Sequence, residues 1–372
     1  MSKQILITGG AGFIGSHLAD ELLDHGHAVR VLDNFSEQVH GGRQPDYMDE
    51  RVEILEGDVR DRAAVEQALE GVDVVYHFAA AVGVGQSMYE IEQYTSVNNV
   101  GTGVLLEALI DRPVERLVVA SSMSLYGEGL YKSPGGTVRQ DVSRSADQLA
   151  EGQWELHDEE GRKLEPIPTP EDKQPALASI YALSKYDQEQ MCLMIGKAYD
   201  IEAVALRFFN VYGPRQALSN PYTGVLAIFG SRYLNDKPPL IFEDGLQRRD
   251  FVHVSDVVRG CRLAMERDEA VGEVFNIGSG ESFTVRQVAD EMGRAMGKEH
   301  LEPKVTGEYR VGDIRHCFAD ISKAREQLGY EPQMSFERGL DELAEWMTRQ
   351  TAEDHVDQMH EELSARGLTV GR

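Results

Sequence analysis

Short apolar runs alternate with amphipathic stretches through most of this chain. Gln4-Ile5-Leu6-Ile7-Thr8, Ala28-Val29-Arg30-Val31-Leu32 and Val52-Glu53-Ile54-Leu55-Glu56 have the length and β-branched content of strands. So do Asp73-Val74-Val75-Tyr76-His77, Arg116-Leu117-Val118-Val119-Ala120-Ser121 and Glu202-Ala203-Val204-Ala205-Leu206-Arg207. Between them, Ser16 to Leu23, Asn99 to Leu109 and the segment around Tyr181 space their apolar residues as helices do. Strands that alternate with helices wind into a parallel sheet covered on both faces. The pattern predicts an α/β protein with a doubly wound parallel sheet and a smaller C-terminal α/β lobe. Residues 1–206 are expected to form the sheet domain, with an insertion at 128–178. Residues 207–350 are expected to form mainly the second lobe, with about 247–278 packing back on the first domain, and 351–372 a helical tail. The tail carries an apolar stripe, Val356, Met359 and Leu363, and no visible chemistry. Ligands of such sheets sit at the carboxyl ends of the strands, where Ser122, Asn210 and the loops after Asp58 and Phe78 fall.

The first strand runs into Gly9-x-x-Gly12-x-x-Gly15 and then into a helix. That succession suits a dinucleotide pyrophosphate: glycines let the backbone approach the phosphates, and the helix N-terminus offers free N–H groups to negative charge. It makes the sheet Rossmann-type. The second strand ends at Asp33, about 20 residues past the glycines, where a carboxylate pairs with ribose hydroxyls and repels a 2′-phosphate. NAD is therefore favoured over NADP. Downstream, Tyr181 and Lys185 lie four apart, on one face of the helix they share. An ammonium beside a phenol favours the phenolate, making a proton acceptor of a group that is normally protonated at neutral pH. The four-residue pattern is common by chance, and the glycine loop upstream is what gives it weight.

Charge and composition narrow the partners. The formal charge of −26 argues against nucleic acid or an anionic membrane, and requires any anionic substrate to find arginine locally. No long apolar run predicts a membrane span, and the N-terminus enters the first strand without a leader, so a cytoplasmic protein is expected. Cys192, Cys261 and Cys317 are odd in number and lack metal-type spacing; they read as reduced, buried thiols, with no metal.

Several motifs occur together: Thr8-Gly9-Gly10-Ala11-Gly12-Phe13-Ile14-Gly15, Asp33-Asn34, Gly57-Asp58-Val59, His77-Phe78-Ala79-Ala80, Asn99-Val100, Ser121-Ser122, Tyr181-x-x-x-Lys185, Arg207-Phe208-Phe209-Asn210-Val211-Tyr212-Gly213-Pro214 and Arg249-Asp250-Phe251-Val252-His253-Val254. From about residue 3 to about residue 345 the chain thereby resembles the extended short-chain dehydrogenase/reductases, and within them the NAD-dependent nucleotide-sugar epimerases and dehydratases. The resemblance implies that Gly9, Gly12, Phe13, Ile14, Gly15, Asp33 and Asn34 bind NAD, that Asp58 and Val59 hold its adenine, and that Phe78, Ala79, Ala80, Asn99 and Phe208 line the rest of it. Lys185 would bond the nicotinamide ribose and, with the cationic nicotinamide, lower the pKa of Tyr181. Ser122 would bond the reacting sugar hydroxyl and Tyr181 would take its proton, at C4. Hydride would pass to NAD, the keto sugar would turn, and hydride would return to its other face.

For the nucleotide-diphosphate sugar, the same resemblance points to Ser124, Asn210, Arg249, Arg310 and Asp313, and to the loop Asn220–Val225; Arg248 and Arg315 read as surface charges. Dehydratases of this superfamily need an acid pair after the Ser/Thr, where this chain has Met123 and Ser124, so dehydration is disfavoured. The segments 123–131, 168–173 and 216–224 look most like the branch containing dTDP-L-rhamnose 4-epimerases, with UDP-glucose 4-epimerases beside it. Some of that branch carry a Cys-Pro-x-Cys pair in the insertion, where this chain reads Leu156-His157-Asp158-Glu159-Glu160-Gly161, without a metal site. Loops as long as this insertion are commonly lids, and Trp154 suits a cover over the sugar. The Tyr181 helix is apolar on more than one side, which together with the Asn99 to Leu109 helix implies a homodimer, as in relatives. Another epimerase, a uronate decarboxylase, or a non-catalytic NAD-binding regulator would share the cofactor residues.

Overall fold

The computed structural model describes residues 2–220, 222, 224–310, 312–350 and 354–370. Its centre is a seven-stranded sheet of β1 (Gln4–Thr8), β2 (Ala28–Asp33), β3 (Glu53–Glu56), β4 (Val74–His77), β5 (Arg116–Ser122), β6 (Glu202–Phe208) and β7 (Val274–Ile277). The strands lie in the order β3-β2-β1-β4-β5-β6-β7, and each neighbouring pair is parallel. The order reverses between β1 and β4, which opens a crevice at their carboxyl ends. Nine helices matter below: α1 (Phe13–Asp24), α2 (Arg62–Ala68), α3 (Gly101–Asp111), α4 (Ile180–Tyr199), α5 (Val225–Leu234), α6 (Val254–Glu266), α7 (Val285–Ala295), α8 (Phe336–Met347) and α9 (Val356–Ala365).

Strand side chains alternate between faces, and the core divides accordingly. Ile5, Ile7 and Val118 pack with Leu18 and Leu22 of α1 and with Val257 and Cys261 of α6. Leu6, Leu117 and Val119 point the other way, into Val65 of α2, Leu105 and Leu109 of α3 and Cys192 of α4. The three cysteines are free and buried. The second lobe has its own core, in which Phe229, Met292 and Leu340 join α5, α7 and α8. The chain returns to the sheet through α6 and β7, and β7 pairs with β6. No described helix is long and apolar enough to cross a membrane.

The insertion departs from a simple lid. Leu130–Lys132 pairs antiparallel with both Val138–Arg139 and Glu165–Ile167, around a small core of Tyr131, Leu156 and Leu164. Trp154 stands edge-on to Tyr309 of the second lobe, with ring centres 6.2 Å apart. The expectation that Arg315 is a surface charge is corrected here. Its side chain is fully buried and pairs with Glu155 of the insertion (2.7 Å) and with Glu243 (2.8 Å) and Asp244 (2.7 Å) of the lobe. Arg144 adds a buried pair to Glu243 at 2.7 Å. A guanidinium is buried only when several acceptors surround it, and here two segments far apart in sequence supply them. Arg248 is likewise half-buried, donating to Ser282 Oγ at 2.6 Å and lying over the Phe318 ring.

Of the C-terminal tail, residues 351–353 and 371–372 lie outside the described part. The rest forms α9, whose Val356, Met359 and Leu363 are buried, and a short strand, Thr369–Val370, paired antiparallel with Tyr309–Arg310.

Candidate active site

A cleft of about 590 Å³ runs along the carboxyl ends of the strands. It is lined by the predicted Gly9, Gly12, Phe13, Ile14, Gly15, Asp33, Asn34, Asp58, Val59, Phe78, Ala79, Ala80, Ser122, Tyr181, Lys185, Phe208 and Asn210. Residues 123–180 contribute nothing to that lining among the described residues; the insertion meets the second lobe instead, through Trp154 and Glu155.

The glycine end is shaped for a phosphate backbone. Gly9 has φ +68°, and a Cβ there would come within 2.8 Å of the Ala79 backbone. The N-cap of α1, Gly12, contributes no side-chain hydrogen bond, so the amides of the first turn face the cleft uncapped. Asp33 ties this loop to the sheet, accepting from Ala11 N and Phe35 N, both at 3.0 Å. A carboxylate oxygen has more than one lone pair, so Asp33 keeps acceptor capacity for ribose hydroxyls. Asp58, at the exit of β3, is paired with Arg60 at 2.7 Å and accepts from Asn34 at 3.1 Å. The Arg60 guanidinium holds its carboxyl down to about 2. A cradle that excludes a Cβ, an uncapped helix start and a ribose-facing carboxylate are what NAD requires.

At the other end, α4 begins at Ser179, whose hydroxyl accepts from Ala182 N at 3.1 Å. Tyr181 N donates to Ser87 Oγ at 3.0 Å, and the Tyr94 ring stands edge-on to the Tyr181 ring at 6.4 Å. Ser122 ends β5 and accepts from Ser124 N (3.2 Å) and Ser124 Oγ (2.9 Å). Ser124, predicted to touch substrate, is absent from the cleft lining and instead orients Ser122. Burial raises the Tyr181 phenol, and its hydrogen bond with Ser122 pulls the other way.

Lys185, one turn on from Tyr181, is buried, and its Nζ donates to Gln188 Oε1 at 2.7 Å. Burial lowers the Lys185 ammonium to about 8. Gln188 cannot turn away, because its Nε2 donates to Thr102 Oγ1 at 2.8 Å and lies 3.2 Å from His77 Nε2. His77, pushed down to about 3 by burial and by Lys185, stays neutral and joins Thr8 Oγ1 at 2.8 Å. Gln188 was missed in the sequence, although its place three residues after Lys185 put it on the same face of the helix.

Asn99 is also corrected. It lies off the cleft and donates to Asp187 Oδ2 at 2.5 Å; Asn98 is the buried one, bonded to Ala81 N, Ala81 O and Ser184 Oγ. The cause is a π-helical turn over Thr95–Val100, whose extra residue rotates the register of the helix. Arg249, Arg310 and Asp313 stand outside the lining. Arg249 donates to the carbonyls of Arg248, Ile314 and Arg315. Arg310 pairs with Asp313 at 2.8 Å and lies over Phe242. From the loop Asn220–Val225, residues Asn220, Tyr222, Gly224 and Val225 do line the cleft; Pro221 and Thr223 lie outside the described residues.

A sheet reversed at a glycine cradle, with Ser122 and Tyr181 beyond it, defines a dinucleotide-dependent enzyme that acts on a hydroxyl-bearing carbon. The model of the NAD dependent epimerase/dehydratase family matches residues 5–148 and 158–278. A dTDP-L-rhamnose 4-epimerase of Burkholderia thailandensis is 34% identical over 355 residues, covering 94% of this chain and 96% of that protein. Among solved structures, a Thermotoga maritima UDP-glucose 4-epimerase with UDP-glucose is 33% identical with TM-score 0.75, covering 93% of this chain and 99% of its own. The Bacillus cereus UDP-glucuronic acid 4-epimerase, with UDP-glucuronic acid and NAD, is 30% identical with TM-score 0.76 and the same coverage. The chain belongs to the NAD dependent epimerase/dehydratase family and is an NAD-dependent isomerase of its nucleotide-sugar epimerases.

Proposed function

We propose that this chain is a nucleotide-sugar 4-epimerase acting on a dTDP- or UDP-linked hexose or 6-deoxyhexose. The observation that carries the reading is the reacting end of the cleft. Ser122 and Tyr181 meet there, while the acidic residues in the described lining are Asp33, Asp58 and Glu90. Asp33 and Asp58 belong to the glycine end, and Glu90 accepts from Gln86 at 3.2 Å. Elimination of water needs a carboxylic acid and base at the sugar; epimerisation through a ketone needs a hydroxyl proton moved and returned.

The residues then have these roles. The glycine loop, Asp33 and the backbone at Phe78–Ala80 would hold NAD, which when bound accepts a hydride from the sugar carbon and gives it back. Ser122 orients the C4 hydroxyl. Tyr181 takes its proton and later returns it to the other face of the ketone. Lys185, charged below about pH 8, would place a positive charge beside the developing phenolate, bonding a ribose hydroxyl with a second N–H while Gln188 Oε1 keeps the first. Asn210, in the cleft lining, would meet the nucleotide diphosphate.

Exposed Leu183 and Met194 on α4, with Val100 at the start of α3, support a homodimer formed through these helices. Three free buried thiols suit the reducing cytoplasm. Incubation with UDP-, dTDP- and GDP-sugars, without added reductant, tests the function by NMR. Interconversion of C4 epimers, lost in Tyr181→Phe with NAD still bound, is expected. Failure on the whole panel with NAD bound would overturn it.

A further inference from the structure

The tail holds a residue of the cleft. Tyr222 lines the cleft from the second lobe, and its hydroxyl donates to Glu362 Oε2 of α9 at 3.2 Å. A phenol has one proton. The Tyr89 hydroxyl, 2.5 Å from that of Tyr222, is therefore the donor to it, giving a chain Tyr89→Tyr222→Glu362. Tyr89 belongs to the sheet domain, and the Arg366 guanidinium of the tail lies over its ring at 4.3 Å. Three parts of the molecule thus meet at one hydroxyl.

The contact also reaches the catalytic end. Gly83, in the loop after β4, has φ +142°; a Cβ there would lie 3.1 Å from Tyr222 Cβ and 2.8 Å from Tyr94 Oη. Tyr94 in turn stands against Tyr181. Tyr222 therefore presses across the cleft onto a residue without a side chain, next to the wall of the catalytic tyrosine. The apolar stripe of α9, Val356, Met359 and Leu363, packs against both Tyr89 and Tyr222 from outside. On the second lobe α9 is anchored by buried Arg232 to Asp357 (2.7 Å) and by His360 to Glu308 (2.6 Å).

We propose that Glu362, Leu363 and Tyr89 are positioning residues that act through Tyr222 as an interlobe latch, holding the sugar end of the cleft shut. The proposal rests on the epimerase reading. A 4-epimerase must keep its ketone while the sugar turns. Were the ketone to leave early, bound NAD would keep the hydride taken from the sugar, and Tyr181 would pass the hydroxyl proton to water. Each escape then releases one keto sugar and strands one reduced cofactor. A latch at this place limits that loss and holds the nucleotide sugar, without touching NAD.

The test uses full-length Tyr89→Phe/Glu362→Ala and, separately, Leu363→Ala; none of the three residues lines the cleft. Two lost hydrogen bonds predict a KM for the nucleotide sugar about tenfold higher, with initial kcat within about twofold. Reduced cofactor, followed at 340 nm, should build up several times faster than in wild type, with free keto sugar in equal amount. NAD content and circular dichroism should match wild type, and Leu363→Ala should show the same trend if the double variant fails to fold. Unchanged KM and unchanged stranding in correctly folded variants would overturn the latch. A wild type that epimerises no sugar would instead defeat the underlying function.

Discussion

Replacing Lys185 with methionine separates the electrostatic burden of the site from its chemistry. The ammonium is enclosed, and burial lowers it from an ordinary 10.5 to about 8. At 1.36 kcal/mol per pH unit, keeping it charged in the fold costs about 3 kcal/mol at pH 7. The sign follows from linkage. The folded form gives up its proton at a lower pH than the unfolded chain, so the unfolded chain binds more protons between about pH 8 and 10.5. The penalty is fully present below about pH 8 and fades as pH rises to 10.5. A methionine side chain would have no charge to bury, though it leaves Gln188 Oε1 without its partner, an opposing loss of about 1–3 kcal/mol at every pH. The pH-dependent part is therefore the clean readout. Urea unfolding of both proteins at pH 7, 8, 9 and 10 should show wild type gaining on Lys185→Met by about 2–3 kcal/mol across that range, since all other titrating groups are shared. Parallel stability curves would refute a buried, depressed lysine at this position. Turnover should be lost in the variant at every pH.

Two further substitutions test neighbouring parts of the account. Gln188→Leu removes the acceptor of Lys185 and, at about 1.5–3 kcal/mol for a hydrogen bond to a charged group, should move the alkaline limb of kcat down by about one to two pH units; a pH–rate profile that loses height without moving its limb would contradict this. Arg315→Met takes the buried guanidinium away from Glu155, Glu243 and Asp244, of which Glu243 keeps Arg144, and should destabilise the protein by about 3–5 kcal/mol in urea unfolding. It should also expose the insertion to limited proteolysis between 133 and 163, and a variant as stable and resistant as wild type would show that the insertion is held by other means.

How much of this was legible in the sequence depends on the range of the interaction. The sheet was, because Leu6 between Ile5 and Ile7, or Val118 between Leu117 and Val119, is apolar on both faces, and only a twice-covered strand needs that. The glycine cradle and the meeting of Ser122 with Tyr181 were too, since each motif occupies a strand end that the winding of the sheet brings to one edge. Asn99 failed because a single π-turn shifted the helix by a residue, and no periodicity shows such a turn. Arg315 and the insertion failed for a different reason. Glu128, Glu155, Glu243 and Arg315 each look solvated alone; their burial exists only once the insertion docks, and that depends on partners up to 187 residues apart. The stripe Val356, Met359, Leu363 was visible, but its target at Tyr89 and Tyr222 was not, since nothing local ties a tail helix to a loop beside the catalytic end.

The central claim is that a hydride leaves the sugar at C4 and returns to the same carbon, with Tyr181 handling only the hydroxyl proton. The most direct measurement follows a nucleotide sugar deuterated at C4, incubated with the protein in ordinary water without added NAD or reductant. NMR of the product should show the C4 epimer with its deuterium retained. Epimer whose C4 deuterium has been replaced by solvent hydrogen would contradict internal hydride return, and with it the role assigned to this site.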